Sequence, residues 1–450
     1  MARLFGTDGV RGVANQEPLT PELAFRLGRV GGAFLREKRG GGARGIIIVG
    51  RDTRLSGPML EAALSAGVCS AGSDCVSVGV MPTPAIAFLT RALDADGGVV
   101  ISASHNPYED NGIKFFAPTG MKLPDEWEDE MEGRLPLLEG VTRPVGAGVG
   151  RMRPHAGAER AYETFVLGTV PGVRLQGMRI VVDCAHGATS RLAPRILRRL
   201  GAEVVTMGAR PTGRNINHRV GALHPETLKI RVLKERAHVG LAFDGDGDRL
   251  ITVDEGGEVR DGDFLLALFA RELVKRERLP GALLVTTVMA NLGLEISLKE
   301  AGVRMVRTPV GDRYVLEEML RLGALLGGEQ SGHIIFLEQT TTGDGIISAL
   351  QLLRIMRESG QPLGALAGCM RKYPQRLVNV AVRAKPPLES LTRLSARLKE
   401  IETTMNGRAR VLVRYSGTEP LARVMVEGQD EATVAAVADE LAGLIREELG

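Results

Sequence analysis

Long apolar runs are missing from this 450-residue chain. None approaches the roughly 18 residues that a membrane-spanning helix needs, so no span is expected. Cysteine is scarce: Cys69, Cys75, Cys184 and Cys369 are the only four. No two stand as C-x-x-C, which argues against a zinc ribbon or a thioredoxin-type pair. Four unmatched cysteines in a large chain suit buried thiols in a reducing compartment. Charge of one sign is also lacking, since 57 Lys+Arg against 54 Asp+Glu leave a net +3. There is no polybasic tail, so neither nucleic acid nor an acidic membrane is an expected partner. The N-terminus, Met1 to Gly9, reaches an acidic residue before any apolar stretch and does not read as a signal peptide. A cytoplasmic protein is expected.

Glycine is what the chain has in excess. Its 57 glycines in 450 residues are nearly twice the usual share of roughly 7%. Many tight loops follow, and loops are where small-molecule sites are built. At roughly 150 residues per domain, the length suggests about three domains.

Three segments share one plan of apolar strand, polar turn, helix, glycine and second strand. They begin at Ile46, Ile180 and Leu283, and their glycines are Gly72, Gly201 and Gly302, where a helix end needs positive φ. Short β-branched runs alternating with helices indicate largely parallel, two-side-covered sheets. Gly- and Pro-rich residues 140–158 read as a linker, Asp254 to Gly257 as a hairpin turn, and Ser359 to Pro362 as a break. After Lys372 the pattern becomes strand, helix, two strands and helix, suggesting a small α+β unit with an antiparallel sheet. The expectation is three similar mixed or parallel-sheet α/β domains, at 1–152, 153–253 and 254–368, and a smaller α+β domain at 369–450.

Asp244-Gly245-Asp246-Gly247-Asp248-Arg249 is the sharpest motif. Three carboxylates at alternate positions with glycines between can turn inward, and a divalent cation would relieve their repulsion. A solvated acidic turn is the bland alternative. An EF-hand would match Glu255 at loop position 12, but its sixth position is Arg249 instead of glycine. Ser104 ends a strand-like run, Val99 to Ile101, with His105, Asn106 and Pro107 after it. A rigid strand end with an imidazole beside it suits a nucleophile, although a plain turn fits too. No G-x-S-x-G elbow surrounds it.

Arg414, Tyr415, Ser416, Gly417 and Thr418 join a strand to a polar turn that can hold a phosphate dianion or be an ordinary hairpin. Gly328 to His333 offers Glu329, Ser331 and His333 on a flexible loop, and Thr7, Asp8 and Arg11 form another possible anion loop. Gly40 to Gly45 satisfies G-x-G-x-x-G but precedes its strand, and no Walker-type loop exists.

Together and in this order, these motifs resemble the α-D-phosphohexomutase superfamily. Ile101 to Phe116, Val288 to Gly293, Val310 to Glu317, Gly328 to His333 and Thr341 to Ile346 resemble its phosphoglucosamine branch. The resemblance runs from Phe5 to about Gly428. It implies four domains around a central cleft and a mutase converting glucosamine 6-phosphate to glucosamine 1-phosphate. The reaction would pass through a phosphoserine and a hexosamine 1,6-bisphosphate and supply UDP-N-acetylglucosamine synthesis.

Carried over, Ser104 is the phosphoserine and, with Asp244, Asp246 and Asp248, binds one Mg²⁺ per subunit. Arg11, His105, Lys114, Arg249 and His333 match active-site positions. Glu329 and Ser331 fall where sugar hydroxyls are contacted. Arg414, Ser416, Gly417 and Thr418 fall where the resting phosphate is held, and Thr7 belongs to the substrate set. Lys114 would need a lowered pKa to act as a base. Tyr415 departs from the branch, where proline is frequent. The substrate partner is a small sugar phosphate; a homodimer and an activating phosphorylation of Ser104 stay open as expectations. Phosphomannomutase or phosphoglucomutase activity, a phosphatase and a plain binding protein are the rivals.

Overall fold

The first repeat builds its sheet from Ile46–Arg51 and Asp74–Val80, paired in parallel with the helix Gly57–Ser70 between them. Ile47, Ile48 and Val49 have no exposed surface. Each such side chain contributes roughly 1.5–3 kcal/mol by leaving water. The helix ends just before Gly72, which takes φ +85°, and Gly201 and Gly302 repeat this at +98° and +70°. The second and third repeats pair Arg179–Asp183 with Glu203–Met207 and Leu283–Thr287 with Arg304–Thr308, again in parallel.

The computed structural model describes residues 3–6, 8–41, 44–138, 143–405, 409–416 and 420–449. They divide into two compact units, Met1–Val288 with Val303–Gly368, and Met289–Gly302 with Cys369–Gly450.

In the first unit the three sheets have six, five and four strands. Each continues in the same way. Gly97–Ile101, Val239–Phe243 and Leu326–Gly328 pair in parallel with the first strand of their repeat. Each then returns through a short connection to an antiparallel strand: Asp110–Phe116, Leu250–Asp254 and Ile334–Phe336. The three connections hold Ser104, the Asp244–Asp248 carboxylates, and Glu329 to His333. The C-terminal ends of parallel strands are where α/β sheets bind ligands.

Helices cover the sheets for local reasons. Pro21–Lys38 starts with Thr20, whose hydroxyl accepts from Leu23 N–H, has proline in its first turn, and ends on Arg36 and Lys38. It crosses Gly57–Ser70 closely, because Gly28 faces the Leu64 carbonyl and Gly67 the Phe25 carbonyl.

Two expectations need correction. The 140–158 stretch is not all linker: Met152–Pro154 adds an edge strand to the first sheet, paired with Asp74–Val80. The turn at 254–257 is a hairpin, but its return strand Val259–Arg260 belongs to the second sheet. Both sheets therefore run a few residues past 152 and 253, because hydrogen bonding along a sheet edge outweighs local Gly and Pro content.

In the second unit, Gln375–Ala381, Leu421–Gly428 and Ala409–Tyr415 form an antiparallel sheet in that order. The helix Glu431–Leu449 buries Val434, Ala438, Leu441 and Ile445 in the same apolar cluster as Val424 and Val426. Among the described residues, no helix is long and apolar enough to cross a membrane.

Candidate active site

Ser104 lies in the turn that follows Gly97–Ile101 and is 2% exposed. Its Oγ donates to Asp244 Oδ2 at 2.6 Å, and His105 Nδ1 lies 3.4 Å from the same oxygen. Its N–H donates to Ser102 Oγ at 2.9 Å, whose hydroxyl in turn donates to Asp52 Oδ2 at 2.6 Å. Ser102 is thus a buried support, while Ser104 faces the carboxylates. Burial, then the charges of Arg249 and Arg11, push the His105 imidazole down to about 4. It is neutral at physiological pH.

The three aspartates occupy the connection between Val239–Phe243 and Leu250–Asp254. One oxygen from each lies within 4.8 Å of the others, and all three residues are buried. Asp244 Oδ1 accepts from the N–H groups of Gly247 (3.1 Å) and Arg249 (3.2 Å). Asp246 Oδ2 accepts from Thr83 Oγ1 at 2.6 Å, with Lys114 Nζ 3.7 Å away. Asp248 Oδ2 faces His333 Nδ1 at 3.4 Å. Burial, then the charges of Asp248 and Asp246, push the Asp244 carboxyl well above the usual range. For Asp248, burial is outweighed by His333 and Arg249, which hold it low.

Asp246 Oδ1 and Asp248 Oδ1 are buried without a hydrogen-bond partner. Buried carboxylate oxygens left bare are costly. A cation bound by hard oxygen donors satisfies both, so the residues fit a divalent metal.

A chain of charges flanks this loop. Lys114, on Asp110–Phe116 and 3% exposed, pairs with Asp8 Oδ2 at 2.7 Å. Lys122 Nζ bridges Asp8 Oδ1 (2.7 Å) and Asp312 Oδ2 (2.5 Å). Arg11, on Val10–Val13, also donates to Asp8. Burial would raise the Asp8 carboxyl, but Lys114, Lys122 and Arg11 together hold it well below the usual range.

His333 Nε2 accepts from Gly343 N–H at 3.0 Å and lies 3.7 Å from Asp312 Oδ2. Burial lowers the imidazole, yet Asp248, Asp312 and Glu329 outweigh it and raise it overall. Glu329 Oε1 accepts from Gly311 N–H at 3.2 Å, and Ser331 Oγ donates to Glu329 Oε2 at 3.4 Å. Leu250 N–H donates to Gly332 O at 3.0 Å, tying the aspartate hairpin to this loop.

In the second unit, Arg414 stands at the end of Ala409–Tyr415 directly across from Arg423 of Leu421–Gly428. Ser416 is buried, and its carbonyl accepts from Lys385 Nζ at 2.6 Å. Burial, then Arg423, lowers the Arg414 guanidinium. Like charges directly opposite each other on neighbouring strands are unfavourable. Gly417 and Thr418 lie outside the described residues, as does Thr7.

Four family models cover the chain in order: phosphoglucomutase/phosphomannomutase domain I at 2–136, domain II at 165–257, domain III at 261–373 and the C-terminal domain at 377–444. A phosphoglucosamine mutase of Desulforudis audaxviator is 56% identical over 449 residues, 99% of this chain and 98% of that protein. A second, of Symbiobacterium thermophilum, is 54% identical over the full length of both. The chain is a phosphohexomutase of this family.

A phosphoglucomutase/phosphomannomutase family protein of Burkholderia thailandensis has the same fold, with a TM-score of 0.82 and 27% identity over 99% of this chain and 97% of that one. An N-acetylphosphoglucosamine mutase of Aspergillus fumigatus, solved with GlcNAc-6P and magnesium, shares the fold at a TM-score of 0.68 and 18% identity, over 99% and 96%.

Within this phosphohexomutase's first unit, Arg11, Ser104, His105, Lys114, Arg249, Glu329, Ser331, His333 and the three aspartates are joined by the contacts above. Sequence reasoning missed Asp52, Arg54, Lys122, Asn217 and Asp312. Arg54 lies inside the polar turn of the first repeat, between Ile46–Arg51 and Gly57–Ser70, and Asp312 inside Val310 to Glu317; their partners carry no local mark.

Proposed function

We propose that this phosphohexomutase interconverts glucosamine 6-phosphate and glucosamine 1-phosphate through a phosphoserine at Ser104. The observation that carries the chemistry is the 2.6 Å hydrogen bond from Ser104 Oγ to Asp244, beside two buried carboxylate oxygens without partners. The choice of sugar rests on full-length relatives at 56% and 54% identity that bear the name phosphoglucosamine mutase.

In the forward direction, phosphoserine 104 gives its phosphoryl group to O1 of glucosamine 6-phosphate. The O1–P bond forms, the Oγ–P bond breaks, the proton of O1 is lost, and one is regained by Ser104 Oγ. The bisphosphate then turns over and returns its 6-phosphate to Ser104. Asp244, Asp246 and Asp248 would hold one Mg²⁺, which would neutralise charge on the transferring group. Lys114, steered by Asp8, and His333 are assigned proton transfer at the sugar oxygens. Arg11 and Arg249 add positive charge where the transferring phosphoryl oxygens lie. Glu329 and Ser331 read the sugar hydroxyls. Arg414, Ser416, Gly417 and Thr418 hold the phosphate that is not moving, and Thr7 belongs to the substrate-binding set. The enzyme is cytoplasmic, is switched on by phosphorylation of Ser104, and works as a homodimer.

Phosphorus and proton NMR with Mg²⁺, a trace of hexose 1,6-bisphosphate and competing glucosamine, mannose and glucose 6-phosphates tests this directly. Preferential appearance of glucosamine 1-phosphate is expected. Equal or faster conversion of mannose or glucose would move the substrate to a sister branch, and release of inorganic phosphate alone would make the protein a phosphatase.

A further inference from the structure

Ser104 has φ +50°, in the left-handed region that a serine enters only at a cost. Nothing in the turn's own sequence compels this, and two side chains from elsewhere hold it. Arg54, 1% exposed, donates through Nη2 to the carbonyl oxygens of Ser104 and Asn106, both at 2.9 Å. Its Nη1 donates to Asp110 O at 3.0 Å and to Pro107 O, and its Nε faces Asp52 Oδ2 at 2.8 Å. Asn217 Nδ2 donates to the same first two carbonyls, Ser104 O at 2.8 Å and Asn106 O at 3.0 Å. One guanidinium and one amide thus clasp the backbone of the turn from two different repeats.

The Ser104 carbonyl fixes the peptide plane after Ser104, while Ser102 fixes the N–H before it. With both planes held, the direction of the Cα–Cβ bond is set, and Oγ points at Asp244. Asn217 itself has φ +58°, a conformation that asparagine tolerates better than most residues.

We propose that Arg54 and Asn217 are positioning residues for phosphoryl transfer: by clasping the carbonyls of Ser104 and Asn106 they hold Ser104 in the left-handed pose that aims Oγ at the metal-binding carboxylates. This deepens the phosphoserine reading and rests on it. Arg54 is buried and the Asn217 amide nitrogen is spent on these two carbonyls, so their loss is expected to act on the rate of transfer and to leave sugar binding alone.

The test uses the full-length protein and reads the rate at which Ser104 gains phosphate from glucose 1,6-bisphosphate, by intact mass, together with kcat and KM for sugar phosphate. Asn217→Gly removes the amide while keeping the backbone conformation allowed. It is expected to fold normally by circular dichroism and to lower the phosphorylation rate and kcat by about tenfold or more, since small misplacements of reacting groups cost that much. KM is expected to stay within about threefold, as a positioning effect on a bound nucleophile predicts. Arg54→Lys keeps the charge opposite Asp52 but not the planar fork, and is expected to lose more. A folded Asn217→Gly protein with the wild-type phosphorylation rate, or one in which only KM rises, would overturn the inference while leaving the phosphoserine reading intact. Wild-type protein that takes no phosphate on Ser104 would overturn both.

Discussion

Asp246 has one carboxylate oxygen bonded to Thr83 and the other buried without a partner. Without a cation this residue adds repulsion between three buried carboxylates; a bound cation would make it a ligand. Asp246→Asn is therefore expected to abolish most turnover without lowering the melting temperature measured in EDTA. The rise in melting temperature that saturating Mg²⁺ gives the wild type, through preferential binding to the folded state, is expected to vanish in the variant. A retained Mg²⁺-dependent shift would assign the metal to other ligands. The same residue scale explains what reading the chain left out. Lys122 and Asp312 meet across 190 residues, and Asn217 reaches Ser104 across 113. A lysine or an asparagine in a loop carries no local mark of such a partner.

Two elements carry predictions of their own. The crossing of Pro21–Lys38 with Gly57–Ser70 depends on Gly28 and Gly67 letting each helix meet the other's backbone. A methyl group at Gly67 must displace the Phe25 carbonyl, so Gly67→Ala is expected to cost about 1–3 kcal/mol by overpacking, despite alanine's better helix propensity. Urea unfolding measures this, and a stabilised variant would contradict the close crossing.

The helix Gly345–Ser359 is capped by Asp344, which accepts from Ile347 N–H at 2.9 Å and from Tyr162 Oη at 2.7 Å. Burial pushes this carboxyl up from the ordinary 3.8 to about 6, with the Ile347 and Tyr162 bonds pulling the other way. The folded protein then keeps a proton that the unfolded chain releases as pH climbs from about 4 to 6. Asp344's contribution to stability accordingly falls across that window, by roughly 3 kcal/mol in all. Asp344→Asn keeps a capping oxygen and does not titrate. Urea unfolding at pH 4.5 and 7 is expected to show the variant gaining on the wild type as pH rises; parallel behaviour would mean the carboxyl is ionised throughout.

At the scale of the molecule, the repeats of the first unit are stitched together by buried charge. Arg313 pairs with Glu128 at 2.9 Å and with Asp125, and donates to Leu123 O at 3.2 Å. In the acidic helix Asp125–Arg134, Glu128 is 3% exposed. Burial pushes its carboxyl up to about 7, with Arg3 and Lys122 pulling the other way, and Arg313 meets it from 185 positions away in the chain. Arg313→Ala removes the cation nearest Glu128 and leaves Arg3 at 3.8 Å, at an expected cost of about 1–3 kcal/mol. Thermal unfolding of the full chain checks this, and Arg313→Lys is expected to recover only part of it, since it lacks the fork that reaches several oxygens at once.

Period and turn chemistry are local, so the residues alone were enough for the three strand–helix–strand repeats, the glycines at 72, 201 and 302, the final antiparallel unit and the Asp244–Asp248 loop. Each of these rests on contacts within a few positions, or on a composition that few structures other than a metal loop can use. That Ser102 braces Ser104 through Asp52, which lysine meets Asp8, and why a serine sits at positive φ depend on side chains brought together from distant segments. Those contacts form only once loops of a hundred residues or more are closed, at an entropic cost that the buried cores of the sheets offset. They are consequences of tertiary structure, and no window on the sequence contains both halves of them.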